Sequence, residues 1–452
     1  MANAVNIREL ALLALLEMQQ DGKQSHRVIR SVLEKYQYLP KQDRAFFTRL
    51  CQGTLEYRPQ LDYILNQYSS VKTRKMKPVI REILRMAVYQ LYYMDQVPDS
   101  AVVNEAVKLA MKKGFRSLKG FVNGVLRTAV RDKGNLKFPG TDEPLAYLEA
   151  VYAMPEYLAE KWLTKYGLEK TAEICGAFLE EKPLTVRLRD HGSAEEREAI
   201  LKELENAGVQ VLPAPYLEEA RILKGYNTLQ YLPAFYEGKL QVQDVSSMLA
   251  VECAGIQPGQ KIIDLCAAPG GKTILAADRT GEQGSVLSRD LTEYKTELIM
   301  ENLERCGIHH VKTEARDAAI RDPELENRAD VVIADVPCSG YGVIGRKPDI
   351  KYRASLENQQ ELVELQRAIL ANAASYVKPG GVLLFSTCTI AEEENEDNVR
   401  FIREDLGLVS ESLDPYLPEE LHGTTTAEGY LQLLPGTHAC DGFFVSRFRK
   451  SM

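Results

Sequence analysis

The 452-residue chain has no apolar run of the roughly 18 residues that a membrane-crossing helix needs. Its opening, MANAVNIRELALLALLEMQQ, alternates into a helix and has no basic head followed by a long apolar core, so a signal peptide is not expected. The eight cysteines are scattered, with no CxxC pair and no histidine cluster, which argues against a disulfide framework and against a structural zinc. Free thiols, a cytoplasmic location and no metal are the expectation. Internal repeats and low-complexity tracts are missing as well.

What is present is the composition of a globular protein, 45% hydrophobic and 27% charged. The chain is too long for one ordinary core, so two or three domains are expected. Its net charge of −8 is unevenly shared. Residues 1–140 hold 24 Lys and Arg against 12 Asp and Glu, and the remainder holds 32 against 52. A basic region joined to an acidic one fits a module that binds a polyanion. A solvated basic face without a partner fits the same numbers.

Apolar spacing predicts helices throughout residues 5–130. Ile7, Leu10, Ala11, Leu13, Ala14 and Leu15 form one broad apolar face, and Arg81–Tyr93 is a second amphipathic segment. Asp99 and Ser100 are candidate caps for a helix over Ala101–Lys112 that Gly114 ends, and Leu118–Val130 gives another. Two basic stretches, VKTRKMKP (71–78) and MKKGFRSLK (111–119), suit a phosphate backbone, the second with Phe115 as a candidate stacking ring. Basic helix ends that offset the macrodipole are the competing explanation. RELALLALLEM, DRAFFTRLCQGTLEYRPQLDYIL (43–65), LRMAVYQLYYMDQVPDSAVVNEAVKLAMK (84–112) and FVNGVLR (121–127) together resemble the NusB family of RNA-binding domains. The resemblance implies an all-α, RNA-binding domain over residues 1–135.

Asn135–Pro144, with its Gly, Pro and polar residues, marks a boundary. Residues 145–240 read as a small α+β connecting domain. It has a helix over Pro155–Leu179 around Trp162, strands at 184–189 and 209–213, a helix over Ala194–Ala207, and further runs at 221–225 and 239–247. An RNA-recognition-like fold fits this order, although no stacking-aromatic motif accompanies it. From 260 onward, strand-like runs recur at 261–265, 285–289, 310–314, 331–335, 382–387 and 443–448. Helical patterns such as Glu293–Cys306 and Ser355–Val377 lie between the first five. This alternation predicts a Rossmann-like α/β domain over 241–452, with a doubly wound parallel sheet and the last run added antiparallel.

The stretch Lys261–Lys272, KIIDLCAAPGGK, organises this region. A buried strand runs into Ala267, Ala268, Pro269, Gly270 and Gly271, which let the backbone turn sharply and approach a ligand, and a helix follows. A Walker A loop would need Gly where Cys266 stands, and the turn lacks GxGxxG, so neither a P-loop nor a dinucleotide loop fits. A methyltransferase-type loop around the amino-acid part of S-adenosylmethionine remains. Asp290, ending the second strand, suits the ribose hydroxyls, and Asp317, after the third, the adenine amine. Asp335 tips the fourth strand with Cys338 just beyond, and Cys388 tips the fifth. These two cysteines stand apart from Cys51, Cys175, Cys253 and Cys440, which read as core residues. Glu392–Glu396 reads as the acidic opening of a helix.

DLCAAPGGKT (264–273), ADVPCSGYGVIGRKPD (334–349) and STCT with EEENE (386–396) closely resemble the Sun family of RNA 5-methylcytosine methyltransferases, across about residues 180–450. With the NusB-like block, this implies an S-adenosyl-L-methionine-dependent enzyme that methylates carbon 5 of a cytosine in 16S rRNA through a covalent adduct of cysteine with carbon 6. A monomer without membrane or metal partners is expected. By position, the family's cofactor residues are Cys266, Ala267, Ala268, Pro269, Gly270, Gly271, Lys272, Asp290, Asp317 and Asp335. The nucleophile is Cys388, Cys338 is the base or release group, and Asp335 also holds the base edge. Lys295, where the family more often has Arg, and Ser288–Arg289, in place of a small or apolar pair, are departures.

The chemistry suits these residue types. Carbon 5 of cytosine is a poor nucleophile until a thiolate adds at carbon 6, and a base must then take the carbon-5 proton. DNA 5-methylcytosine enzymes use the cysteine after Pro, which would make Cys338 the attacker; the STCT loop argues for Cys388. A binding-only RNA chaperone is a competing class, disfavoured by the intact loop and both cysteines. A nicotinamide oxidoreductase is another, disfavoured by the missing GxGxxG.

Overall fold

A computed structural model describes residues 5–19 and 23–452. The chain divides into two compact units, one running to Glu180 and including Ile344–Ala354, the other made of Glu181–Val343 and Ser355–Met452. Of the N-terminal stretch read as entering a helix, residues 1–4 and 20 lie outside the described residues.

The first unit is helical: α1 (Ile7–Glu17), α2 (Ser25–Lys35), α3 (Lys41–Glu56), α4 (Arg58–Tyr68), α5 (Pro78–Tyr93), α6 (Asp99–Lys112), α7 (Lys119–Arg131), α8 (Pro144–Tyr152) and α9 (Glu156–Leu179). Apolar residues at helical spacing, among them Leu12, Leu15, Leu50, Ile64, Leu84 and Leu126, close one core. Two expectations fail here. Leu13 faces solvent, 48% exposed, because its direction lies outside the stripe set by Leu12 and Leu15. Asp99 and Ser100 lie inside the first turn of α6 behind Pro98, which supplies no side-chain cap. Phe115 packs half-buried against the helical core. Gly167, at φ 75° and ψ 174°, breaks the run read as one helix over 155–179.

Ile344–Ala354 belongs to this helical unit although the chain enters and leaves it from the other. Lys351 is buried and donates to the Glu56 carbonyl (2.6 Å) and the Ala153 carbonyl (2.8 Å). Burial pushes its amine down to about 7, against the pull of Glu56. Tyr352 donates to the Leu55 carbonyl (2.6 Å), and the Arg58 guanidinium lies 4.3 Å from its ring centre.

The second unit opens with β1 (Leu184–Leu188), α10 (Ala194–Asn206), β2 (Gln210–Pro213), β3 (Ala220–Lys224), α11 (Pro233–Tyr236) and β4 (Leu240–Val242). Their four strands form an antiparallel sheet in the order β2-β3-β1-β4. The elements α12 (Val245–Cys253), β5 (Lys261–Asp264), α13 (Gly271–Thr280), β6 (Ser285–Asp290), α14 (Glu293–Arg305), β7 (Val311–Ala315), β8 (Ala329–Asp335), α15 (Leu356–Tyr376) and β9 (Val377–Thr387) follow. The chain ends with α16 (Glu396–Glu404), β10 (Val409–Ser410), α17 (Thr424–Ala427), β11 (Tyr430–Leu433) and β12 (Phe443–Arg449). The large sheet runs β10-β12-β9-β8-β5-β6-β7, with β11 also on β12. Strands β5 to β9 are parallel and β12 is antiparallel to β9. Ile262, Val331, Ile333 and Leu384 are buried on one face and Ile263, Val332 and Leu383 on the other, as a sheet covered on both faces requires. Strand order reverses between β5 and β8, and a crevice for ligands opens at the carboxyl ends beside such a switch. The short β10 and β11 were not legible as strands in the sequence.

Arg187 on β1 and Arg189 just beyond it converge on Asp278 of α13, at 2.6 and 2.7 Å. These charge-assisted bonds pin the helix that carries the glycine turn.

Candidate active site

Strand β5 ends in Asp264, fully buried, whose Oδ2 accepts from Thr273 Oγ1 (2.7 Å). Thr273 Oγ1 also meets Ser288 Oγ of β6 at 2.9 Å. Burial pushes the Asp264 carboxyl up to about 7, with the Thr273 hydrogen bond opposing it. Ser288, one of the pair at 288–289 that departs from the family pattern, is thus part of a polar floor under the turn. The other, Arg289, is held by Glu314 and Asp322, each at 2.8 Å. Sequence reasoning missed Asp264 and Thr273, whose only signal was their position at either end of the turn.

Above this floor the turn closes through Ala267 N–H to the Arg289 carbonyl (3.0 Å) and Gly270 N–H to the Ala267 carbonyl (2.7 Å). Gly270 sits at φ 105°, where a side chain is disfavoured, and α13 starts at the next residue. Pro269 presents its carbonyl to Asn302 Nδ2 (3.1 Å). The Cys266 thiol is pushed well up, first by burial and then by the charges of Asp290, Asp264 and Asp335, which leaves it unreactive.

Asp290 lies beside the turn. Its Oδ2 accepts from Ala268 N–H (2.9 Å), and its Oδ1 accepts from Leu291 N–H and from Lys295 Nζ, both at 2.7 Å. Lys295, the other departure, therefore carries a cation onto the acid. Asp317 accepts from Ala319 N–H in its own loop (2.9 Å).

Lys272 Nζ meets Asp335 Oδ2 at 2.8 Å and lies 5.1 Å from the Phe443 ring centre. Asp335 Oδ1 accepts from Ser386 Oγ (2.8 Å). Val336 N–H donates to the Ser386 carbonyl (3.1 Å), so the β8 tip is sewn to β9 just before Cys338 and Cys388. The two sulfurs are 3.3 Å apart. Gly342 N–H donates to the Cys388 carbonyl (3.0 Å), and a Cβ on Gly342 would sit 2.0 Å from the Gly442 carbonyl oxygen, so only glycine fits. The Cys338 thiol is pushed well up, first by its hydrogen bond with Cys388, then by burial and by the charges of Glu394 and Asp335.

Two readings need correction. The acidic run does not open a helix at Glu392: a 3₁₀ turn covers Glu392–Glu394, α16 starts at Glu396, and Glu394 is fully buried. Its Oε2 accepts from Ser339 N–H at 2.8 Å, a partner too distant in sequence to read. The sequence also spells GxGxxG at Gly340–Gly345, away from the turn, but this run leads into a 3₁₀ turn at Tyr341–Val343 and not into a helix. Cys51, Cys175 and Cys253 are buried as expected, whereas Cys440 is only partly so. Among the described residues, no group of three or more His, Cys, Asp or Glu side chains is placed to hold a metal ion, and no helix is long and apolar enough to cross a membrane.

Residues 253–449 match the family model described as 16S rRNA methyltransferase RsmB/F, residues 5–131 that of the NusB family, and residues 154–230 the ferredoxin-like domain of RsmF/B-like methyltransferases. A probable ribosomal RNA small subunit methyltransferase B from Bacillus subtilis is 35% identical over 449 residues, 98% of this chain and 99% of that one. A protein of the same description from Synechocystis is 32% identical, covering 99% of this chain and all of the other. Among solved structures, PH0851 covers 98% of both chains at 26% identity with a TM-score of 0.78. NSun6 from Pyrococcus horikoshii, 23% identical with a TM-score of 0.59, covers 68% of this chain and all of its own, and shares the fold. The chain belongs to the RsmB/F family of 16S rRNA methyltransferases.

Proposed function

We propose that this protein methylates carbon 5 of a cytosine in 16S rRNA, with S-adenosyl-L-methionine as donor and a covalent adduct on Cys388. Residues 1–135 supply affinity for RNA, 145–240 connect, and 241–452 carry the chemistry. The observation that carries this reading is the pair of sulfurs, 3.3 Å apart, beside the Asp335 carboxylate at adjacent strand tips. The names of the full-length relatives support the RNA substrate.

The residues around the turn fit the donor. Gly270 and Gly271 leave the backbone bare for its amino-acid part, and Asp290 and Asp317 offer acceptors for ribose hydroxyls and an adenine amine. Asp290 would exchange Lys295 for those hydroxyls. When bound, the donor supplies an electrophilic methyl group.

Cys388, as thiolate, adds to carbon 6 and turns the ring into an enamine that is nucleophilic at carbon 5. As the thiolate adds, the ring nitrogen beside Asp335 takes a proton from solvent, and loss of the hydrogen bond to Cys388 lets Cys338 release its own proton to solvent. Once carbon 5 carries the methyl group, Cys338, now a thiolate, takes the carbon-5 proton. The electrons of that C–H bond expel Cys388 as a thiolate, and the ring-nitrogen proton leaves to solvent.

Incubating the protein and donor with unmodified 16S rRNA, followed by bisulfite sequencing, tests the reading. A newly protected cytosine is expected. Methyl incorporation without any protected cytosine would contradict it.

A further inference from the structure

Cys338 and Cys388 are each flanked on both sides by residues that buried polar side chains grip. Around Cys338, Ser339 N–H donates to Glu394 Oε2 (2.8 Å), and the Pro337 carbonyl accepts from Gln366 Nε2 (2.9 Å). Gln366 Nε2 also donates to Glu394 Oε2 (2.9 Å), and Asn398 Nδ2 donates to Gln366 Oε1 (2.8 Å), so the grip is one connected unit. Around Cys388, Thr387 Oγ1 donates to Asn395 Oδ1 (2.6 Å), and Asn395 Nδ2 donates to the Thr389 carbonyl (3.0 Å). Gln366, Glu394, Asn395 and Asn398 are all fully buried. Carrying that much polar side chain into a core is costly unless each group is used.

We infer that Glu394 and Asn395 are positioning residues forming a double clamp, in which Glu394 with Gln366 fixes the Cys338 loop and Asn395 fixes Cys388. The inference rests on the two-thiol reading above and adds a division of labour among residues that touch neither RNA nor donor. The two halves act on different steps. Cys388 must be aligned for adduct formation, and Cys338 for its breakdown. A displacement of about 1 Å at either sulfur is enough to slow its own step on the order of 100-fold.

The test uses the full chain and 16S rRNA, comparing a single turnover with steady state and reading covalent enzyme–RNA complex on a denaturing gel. Cys338→Ser serves as the trapping control. Glu394→Gln keeps the shape but removes the charge on the oxygen that takes both Ser339 N–H and Gln366 Nε2, weakening both hydrogen bonds. It should keep the first methyl transfer within about threefold while lowering steady-state turnover at least about tenfold, with complex accumulating. Gln366→Leu reads the same half from α15 and decides the matter should Glu394→Gln fail to fold. Asn395→Asp should slow the first transfer on the order of tenfold, with no complex accumulating. A merely structural role predicts equal losses in both phases for all three variants and no complex, and that result would overturn the clamp. If Cys338→Ser traps while Glu394→Gln and Gln366→Leu do not, the clamp alone fails. If Cys338→Ser traps nothing, the two-thiol reading fails and takes the clamp with it.

Discussion

In the helical unit, Arg85 is buried against Glu82 and Asp62, and Lys112 and Lys113 both close on Glu9. In the sheet unit, Lys272, Asp335, Asp290 and Lys295 gather at the carboxyl ends of neighbouring strands, each ion pair beside a turn or a thiol. The first unit spends several of its surplus cations inside its own fold; the second places its charges where substrate chemistry would use them. A charge count therefore overstates the binding surface of the helical unit. The acidic balance of the other half likewise says nothing of where its few important acids stand. Topology makes the difference: parallel strands with reversed order bring distant loops to one edge, whereas a helical bundle spreads its polar residues all round.

If the strand-tip charges are the working ones, removing one should cost far more activity than removing any charge of the helical unit. Asp335→Asn keeps a partner for Ser386 but loses the charge that faces Lys272 and, on the proposed chemistry, the ring. Single-turnover methyl transfer should fall on the order of 100- to 1,000-fold. A loss below about tenfold would remove Asp335 from the reacting edge. Asp290→Ala should weaken donor binding by roughly 1.5–3 kcal/mol, read by calorimetry, as for hydrogen bonds to a charged group. Unchanged affinity would mean that its three partners in the protein exhaust its role.

Lys351 gives the matching experiment in the helical unit. Its amine is lowered to about 7 when folded, from an ordinary 10.5. Between those values the unfolded chain binds the extra proton, so stability should rise with pH, by about 1.4 kcal/mol per unit at most. Lys351→Met should flatten that slope between pH 7.5 and 9.5 in denaturant titrations followed by helical signal. An unchanged slope would contradict the burial of a neutral amine. The smallest effect belongs to the exposed cations of the basic stretch at 71–78. Replacing Arg74 and Lys75 with Gln should shallow the dependence of log affinity for RNA on log salt, by about 0.7 to 0.9 for each phosphate that is no longer neutralised. No change would reduce this stretch to a solvated face.

Fold class was readable from the sequence because two periodicities are clean: helical apolar stripes up to Arg131 and short apolar runs spaced by helices after Lys261. The strand tips follow from those runs, and so do Asp290, Asp335, Cys338 and Cys388 as their loop residues. What escaped depends on partners far along the chain. Glu394 looks like a helix-opening acid until Ser339, 55 positions away, is seen to need it. Lys351 lies two residues beyond the motif that ends at Asp349, and nothing in its spacing says that the chain leaves the sheet unit to bury it among Glu56 and Ala153. The Pro98 start of α6 and the break at Gly167 escaped for a local reason, since periodicity continues across both.

The central claim is that the two thiols divide one reaction, and single serine replacements test it most directly. A hydroxyl at neutral pH is far less nucleophilic than a thiolate. Cys388→Ser should therefore abolish methyl transfer and leave no enzyme–RNA complex. Cys338→Ser should still add and methylate but stall at release, accumulating enzyme joined to methylated RNA as a band of raised mass that survives denaturation. The double variant should show no band. A trapped complex with Cys388→Ser and none with Cys338→Ser would reverse the assignment and contradict the account.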